Sequence, residues 1–315
     1  MTLKKINSLV KDYIDETEPS ENDFKFIESI IDIVLSTPIK VRRQTYKEYY
    51  PIESSIDDVS KFYGTLDLKY IERFRNLIKS GDMRFFNVSK KGRNNYIASS
   101  TMTDDGKSDI FLPFNNTIED SFTMNHEVLH DTNVSLKLTE TRFLFTEAIS
   151  ILGELLQEDF YRRSLLPPKE FEKNSIDMAY AICVKSIYLH IQIGLIKLMQ
   201  KYGEITSKNL SELEILKCYR KDLKKYLKYL NLFDELPFDN DQRHVMGFVF
   251  ASQMHQDGFG KEHLLELNPI LNEVEFDDVL DSIGVSTTSI DGYDITSDSK
   301  KVLLKSYREE VSRFR

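Results

Sequence analysis

"FTMNHEVLHDTN", residues 122–133, sets two histidines four positions apart with a glutamate directly after the first. In an α-helix, residues i and i+4 lie on one face. His126 and His130 would therefore point the same way, each able to offer an imidazole nitrogen to one metal ion. Glu127 would sit a step round the helix, at the edge of such a site, where a carboxylate can take a proton from water. This is the spacing of a helical zinc-hydrolase motif. Three fixed letters in five residues also arise by chance, and two histidines on a helix are often a surface pair or satisfied core groups. The surrounding sequence has to decide between the two readings.

Only six histidines occur in the chain, at 126, 130, 190, 244, 255 and 263, so the pair is not a product of histidine richness. A catalytic zinc takes three protein ligands and keeps one position open. A third ligand is available in "FLFTEAISILGELL", residues 143–156, where Glu147 follows His130 by 17 positions. Its neighbours Phe143, Leu144, Ala148, Ile151 and Leu152 predict a buried helix, and a carboxylate there is costly unless it is paired or bound to metal. The segment "DTNVSLKLTE" between the two helices is long enough to reverse the chain and bring them side by side. Ser150 and Glu154 share nearly the same face as Glu147 and are candidates to orient the ligands from behind. The competing role for Glu147 is a salt bridge, for instance with Arg142.

Outward from this centre the pattern is mostly helical. Phe24, Phe26, Ile27, Ile30, Ile31 and Val34 recur at helical spacing up to Pro38, and Ile71, Phe74, Leu77 and Ile78 mark another helix closed by Gly81. The period changes between about 94 and 114: "NNYIASSTMT" and "SDIFLPF" read as two strands joined across "DDGK", where Asp105-Gly106 is a hairpin signal. Further helices are expected from near Ile118 through the histidines, and over 140–161, 176–201, 210–230, 242–256, 275–283 and 298–313. With 12 Gly and 8 Pro, scattered, and no low-complexity linker, the chain reads as one domain over 1–315. Within it, residues 1–90 form an N-terminal helical part packing on the cleft, and 91–315 hold the metal-binding core and the C-terminal helices. The fold class expected is mainly α with a small β-hairpin or sheet beside the active-site cleft.

A formal net charge of −9 argues against nucleic acid, which needs a basic footprint. "KCYRKDLKKYLKYLNLF" is basic and aromatic, but Leu216, Leu223, Leu227 and Leu230 make it an amphipathic helix with a solvated face. "GFGKEH" has too few glycines for a phosphate loop. The two cysteines, Cys183 and Cys218, lie in apolar helix-like stretches, which favours a reducing compartment over a disulfide framework. "MTLKKINSLVKDYIDE" lacks the apolar run of a signal peptide. His190, Gln192 and Lys197 interrupt the apolar stretch from Leu189 to Met199, so no membrane span is expected. These features point to a cytoplasmic location.

"SDIFLPFNNTIEDSFTMNHEVLH" followed by "FLFTEAISILGELL" resembles the catalytic region of the thimet oligopeptidase and oligoendopeptidase F family of zinc peptidases. There a strand precedes a "TLxDVFTLxHExGH" helix, and "FVAEVAS" carries the third zinc ligand. "YGTLDLKYIERFRNLIKSGDMRFF" also looks like the family's segment before the strands, so the likeness runs from about Ile56 to Glu154. It implies a helical, zincin-like fold with a cleft and hydrolysis of short peptides through a zinc-activated water. By this resemblance His126, His130 and Glu147 hold Zn2+ and Glu127 is the general base. The strand Ile110–Phe114, with Ile110, Phe111 and Leu112, matches the edge strand that binds substrate backbone.

The chain departs from the pattern in several places. Family members are usually nearly twice as long, so part of the roof over the cleft is expected to be missing. Leu129 replaces the glycine of HExGH, and Asn133 stands where a further histidine is common. In "HVMGFVFASQM" Phe248 and Phe250 stand where tyrosine hydroxyls would steady the oxyanion. His244 is the nearest replacement donor, with Tyr180, Tyr188 and Tyr293 weaker candidates and a surface histidine the bland alternative. The function expected is an oligopeptide-cleaving zinc metallopeptidase. The competing expectations are a weak or inactive zincin-fold peptide binder, and a helical protein with a chance motif.

Overall fold

The computed structural model describes residues 3–37, 42–88, 98–102, 108–134, 140–213, 225, 226, 228–230, 233–260, 264, 280, 281, 283–288 and 294–313. The chain order is α1 (Leu3–Thr17), α2 (Glu21–Leu35), α3 (Ile52–Leu66), α4 (Leu68–Ser80), β1 (Met83–Asn87), β2 (Ser99–Met102), β3 (Ser108–Phe114), α5 (Glu119–Val134), α6 (Glu140–Arg163) and α7 (Lys173–Tyr202). A 3-10 turn at Asn209–Glu212 follows, then α8 (Phe238–Gln256), β4 (Thr287–Thr288), β5 (Asp294–Ile295) and α9 (Ser297–Ser312). The chain is thus mainly helical with a small sheet beside the motif helix, as expected. The turn at Asp105-Gly106, most of the helices expected over 210–230 and 275–283, and Cys218, His263 and Tyr293 lie outside the described residues.

Local chemistry explains several boundaries. Asp67 accepts a hydrogen bond from the backbone N–H of Lys69 and so caps α4, which ends at Gly81 in the left-handed region with φ 84°. The start of α5 is fixed by "TIED": the Asp120 carboxylate accepts from the backbone N–H groups of Thr117 (2.9 Å) and Asn115 (3.0 Å), one half of a capping box.

The three-stranded sheet has the order β1-β3-β2. β3 pairs in parallel with β1, Met83 facing Ile110, and antiparallel with β2, Ser99 facing Phe111. This corrects the expectation for Ile110, Phe111 and Leu112. They lie on the central strand, where Ile110 and Phe111 are paired on both sides, so the backbone of those two is not a free edge, while Leu112 pairs with Phe85 of β1. Strand β1 was not anticipated: "MRFFN" is too short to show alternation, and its parallel partner comes 27 positions later in the chain. It also ties the sequence before residue 90 to the part after it.

Ile110 and Leu112 turn their side chains into an apolar layer with Val59, Phe62, Phe74, Leu77, Val128 and Leu129, which fastens the sheet to α3, α4 and α5. A second core joins α2, α6, α8 and α9 through residues such as Ile30, Ile149, Leu152, Phe248, Phe250 and Tyr307. Each such side chain stabilises by about 1.5–3 kcal/mol relative to exposure. By length and apolar content α7 is sufficient to cross a membrane, contrary to the reading of its polar interruptions. Here its Leu189, Ile193, Ile196 and Met199 are buried with residues of α1 and α2, and Gln192 donates to the buried Asp241 of α8 at 2.9 Å.

Candidate metal centre

Helices α5 and α6 pack closely because of one glycine. An added Cβ on Gly153 would lie 2.0 Å from Leu129 Cδ1, so Leu129 fills the space a side chain at 153 would take. The small residue expected inside the motif is thus found on the facing helix. A second close approach brings in α8: a Cβ on Gly247 would fall 2.7 Å from Glu147 Cβ and 3.0 Å from the backbone nitrogen of Ala148. These two glycines went unnoticed in the sequence. Their signal was glycine inside an otherwise regular helical pattern, "ILGELL" and "VMGFVF".

The result brings His126, His130 and Glu147 together, as a group that could hold a metal ion. The two histidine Nε2 atoms lie 2.9 Å apart, and Glu147 approaches them with Oε2 at 3.3 Å from His126 and Oε1 at 3.6 Å from His130. Ligands at 2.0–2.1 Å around a tetrahedral ion are about 3.3–3.4 Å from one another. The observed separations bracket that value.

Neighbours fix the orientation of the imidazoles. Glu154 Oε1 lies 2.8 Å from His126 Nδ1, so that nitrogen carries a proton and Nε2 is turned towards Glu147 and His130. Glu154 is in turn held by Asn174 of α7, whose amide donates to Oε2 at 2.7 Å. Ser150 Oγ sits 3.2 Å from His130 Nδ1. Behind His130, Asp131 is bridged to α4 by Arg73, with Nε at 2.8 Å and Nη2 at 3.0 Å. Glu147 Oε2 is buried without a hydrogen-bond partner, an expensive state for a carboxylate oxygen.

Charge follows the same geometry. Burial alone would raise the Glu147 pKa, but His244, His130 and His126 hold it well below the usual carboxylate range. Burial would likewise lower His126, yet Glu147 and Glu154 carry it well above the ordinary imidazole range. Glu127, 7% exposed, has its carboxyl pushed up by burial against the opposing pull of His126 and His130.

His244 stands one turn before Gly247, with Nε2 3.7 Å from Glu147 Oε2. Its Nδ1 lies 2.7 Å from the Asn240 carbonyl, so Nδ1 is the donor there. Burial lowers its pKa to about 4. With Nδ1–H engaged, it is Nε2 that His244 turns towards the centre. Phe248 and Phe250 do not face the centre. Phe248 packs edge-on against Tyr307 at 5.8 Å, and Phe250 stacks on Phe145 at 5.2 Å. Tyr188 belongs to a stack with Tyr226 and Tyr229 in the apolar layer of α7.

No family model matches the chain, and no curated protein matches it. Among solved structures, "Crystal structure of putative peptidase from Chlamydophila abortus" is similar at 12% identity and a TM-score of 0.49, over 100% of this chain and 55% of that one. The chain therefore spans little more than half the length of that structure.

Proposed function

We propose that the chain is a zinc-dependent metallopeptidase that cleaves oligopeptides. One observation carries the reading: the Nε2 atoms of two histidines and a buried carboxylate converge at separations suited to a tetrahedral ion. Imidazole with carboxylate is a donor set that suits zinc. His126, His130 and Glu147 would hold the ion, which when bound polarises a carbonyl and acidifies water. Glu127, beside the two histidines on α5, takes the proton of the attacking water and returns it to the leaving amine. Burial that raises its pKa suits a group that must carry that proton between the two steps. Glu154 and Ser150 keep the imidazoles aimed. His244, whose Nε2 faces the same centre, would donate to the oxyanion in place of the missing tyrosine hydroxyls. An extended peptide would pair with the outer edge of β2, the strand that flanks β3 on the side packed against α5.

A second reading keeps the metal and the peptide but not the turnover. It is favoured by the burial of Phe248 and Phe250, which leaves no hydroxyl donor from those positions at the centre. The test of the metal assignment is elemental analysis. One zinc per chain is expected, with severe loss on replacing His126, His130 or Glu147 by Ala. A metal-free protein whose melting temperature does not respond to added zinc would remove the assignment. A cytoplasmic location, and short peptides rather than nucleic acid or a membrane as partners, remain part of the same proposal.

A further inference from the structure

Helix α7 passes the metal centre with one face, set by Asn174, Met178, Ala181 and Lys185, which are spaced by four, three and four residues. The first of them donates to Glu154 Oε2 at 2.7 Å, and Glu154 holds His126 from behind. The last, Lys185, lies 3.3 Å from Oδ1 of Asp241, one turn before His244 on α8. His244 Nε2 is in turn 3.7 Å from Glu147 Oε2. The two ends of the face therefore touch the support of His126 and the neighbour of His244, about 16 Å apart at ~1.5 Å per helical residue. Between them Met178 is partly buried and Ala181 is exposed, so packing does not fill the face where it passes the metal ligands. Its length takes about five residues of extended peptide.

We infer that Lys185 is a specificity-determining residue that receives a carboxylate of the peptide substrate. The inference rests on the peptidase reading above and adds the substrate class. Asp241 is fully buried, and two uncharged donors already serve it, Gln192 Nε2 at 2.9 Å and the Tyr229 hydroxyl at 3.0 Å. Lys185 stands off from it at 3.3 Å, beyond the roughly 2.7–2.9 Å of a well-formed charge-assisted bond. An ammonium has three N–H donors, and Asp241 is its one partner among the described residues. The Lys185 side chain is 21% exposed, so the stem is packed while the head still meets solvent. One helical turn, about 5–6 Å between side chains, separates Asp241 from His244, which puts the ammonium roughly 8–10 Å from the metal ligands. That is about two or three residues of extended peptide. The charge is felt at the centre: burial lowers the His244 pKa, and Lys185 adds to this against the pull of Glu147. Acidic groups mark the other end of the face, Glu154 against Asn174 and Asp177 against the Gln44 backbone N–H. The face thus has one cationic end, and a substrate carboxylate is favoured there and repelled elsewhere along it.

The experiment measures kcat/KM for pairs of N-acetylated peptides that differ only in ending as a free carboxylate or a carboxamide, with one to four residues after the cleaved bond. A second set, all carboxamides, carries Glu or Gln at each of three positions on either side of that bond. Zinc-loaded wild type should favour the carboxylate member by about tenfold at one length or position, the effect of one charge-assisted hydrogen bond. Preference in the first set supports the assignment with the chain terminus as the group received; preference confined to the second supports it with an acidic side chain. Lys185→Gln, which keeps a donor for Asp241, should bring the ratio close to one with its zinc content unchanged. Lys185→Arg should keep the preference, and Lys185→Glu should invert it. If Lys185→Gln does not fold, Lys185→Met combined with Asp241→Asn removes both charges of the pair and gives the same reading. Cleavage with no carboxylate preference overturns the assignment and leaves the peptidase reading standing. So does a preference that survives loss of the Lys185 charge, as a carboxylate bound to the zinc itself would produce. If nothing is cleaved, that reading falls, and calorimetric binding of the same pairs to the zinc-loaded chain decides the role of Lys185. Tighter binding of the carboxylate peptide that the neutral variant loses supports it; equal binding or none overturns it.

Discussion

Replacing Gly247 by Ala adds one methyl group at the point where α8 crosses α6. The new Cβ would stand 2.7 Å from Glu147 Cβ and 3.0 Å from both the Glu147 carbonyl carbon and the Ala148 nitrogen. Ordinary contacts begin near 3.4 Å, and two of these three neighbours are backbone, so no side chain can swing away. The helices must part by roughly 0.5–1 Å. Overpacking of this kind costs about 1–3 kcal/mol, which for a chain of this size lowers Tm by about 2–5 °C. The displacement falls on the third metal ligand itself, so zinc affinity should drop about 10–100-fold, the range seen when the support of a ligand is disturbed. Thermal melts with and without zinc, and a competitive zinc titration, measure both quantities. Gly64→Ala is the control. It lies in α3 with only Ile71 Cδ1 at 4.0 Å, and should stabilise by about 0.5–1 kcal/mol. If Gly247→Ala melts and binds zinc like the wild type, α8 does not set the position of Glu147 as described.

Other expectations follow from the same contacts. Zinc affinity should rise with pH, because His126 holds a proton well above its ordinary range and must release it to bind metal; a titration showing no proton release contradicts this. The docking of α9 is pH-dependent through His255, bound to Glu310 at 2.8 Å and Asp159 at 3.2 Å. Burial opposes its charge, but these carboxylates raise its pKa to about 9, above the unfolded value of 6.5. Its stabilisation is therefore complete below pH 6.5 and lost as pH rises through about 9. Asp159, whose burial is outweighed by His255 and Arg313, falls to about 2, so its part is present above pH 3.8 and lost as pH falls towards 2. Urea melts from pH 2 to 10 should show both limbs, and His255→Gln should lose the alkaline one. Phe248→Tyr should not restore activity. Its hydroxyl would enter the core rather than the metal centre, costing about 1–3 kcal/mol, and a gain in turnover would place α8 in a different rotation. His244→Ala should keep the metal and slow turnover; an unchanged rate would make His244 a bystander.

The parts of this arrangement visible in the sequence are those governed by local periodicity. The i, i+4 histidines fixed one ligand face. Glu147 was legible because a lone carboxylate interrupted an apolar helical run, and Ser150 and Glu154 followed from their shared face. The sheet order was not legible. A hairpin signal joined β2 to β3, but nothing local announced that β1 would cover the other side of β3 and turn Ile110, Phe111 and Leu112 into a central strand. The rotation of α8 was hidden too. Its apolar residues surround the helix, so periodicity could not say whether 244 or 248 faces Glu147; Gly247 decides it through a contact between distant segments.

The central claim is that this centre hydrolyses peptides with Glu127 as the base. Its most direct test is digestion of an unbiased peptide library by wild type and Glu127→Gln, each shown to contain one zinc per chain. The amide keeps the shape of the side chain but cannot accept the water's proton. The expected result is cleavage by the wild type that chelation abolishes and zinc restores, with none above background by the variant. Equal cleavage by the two proteins, or none by a fully zinc-loaded wild type, would contradict the account.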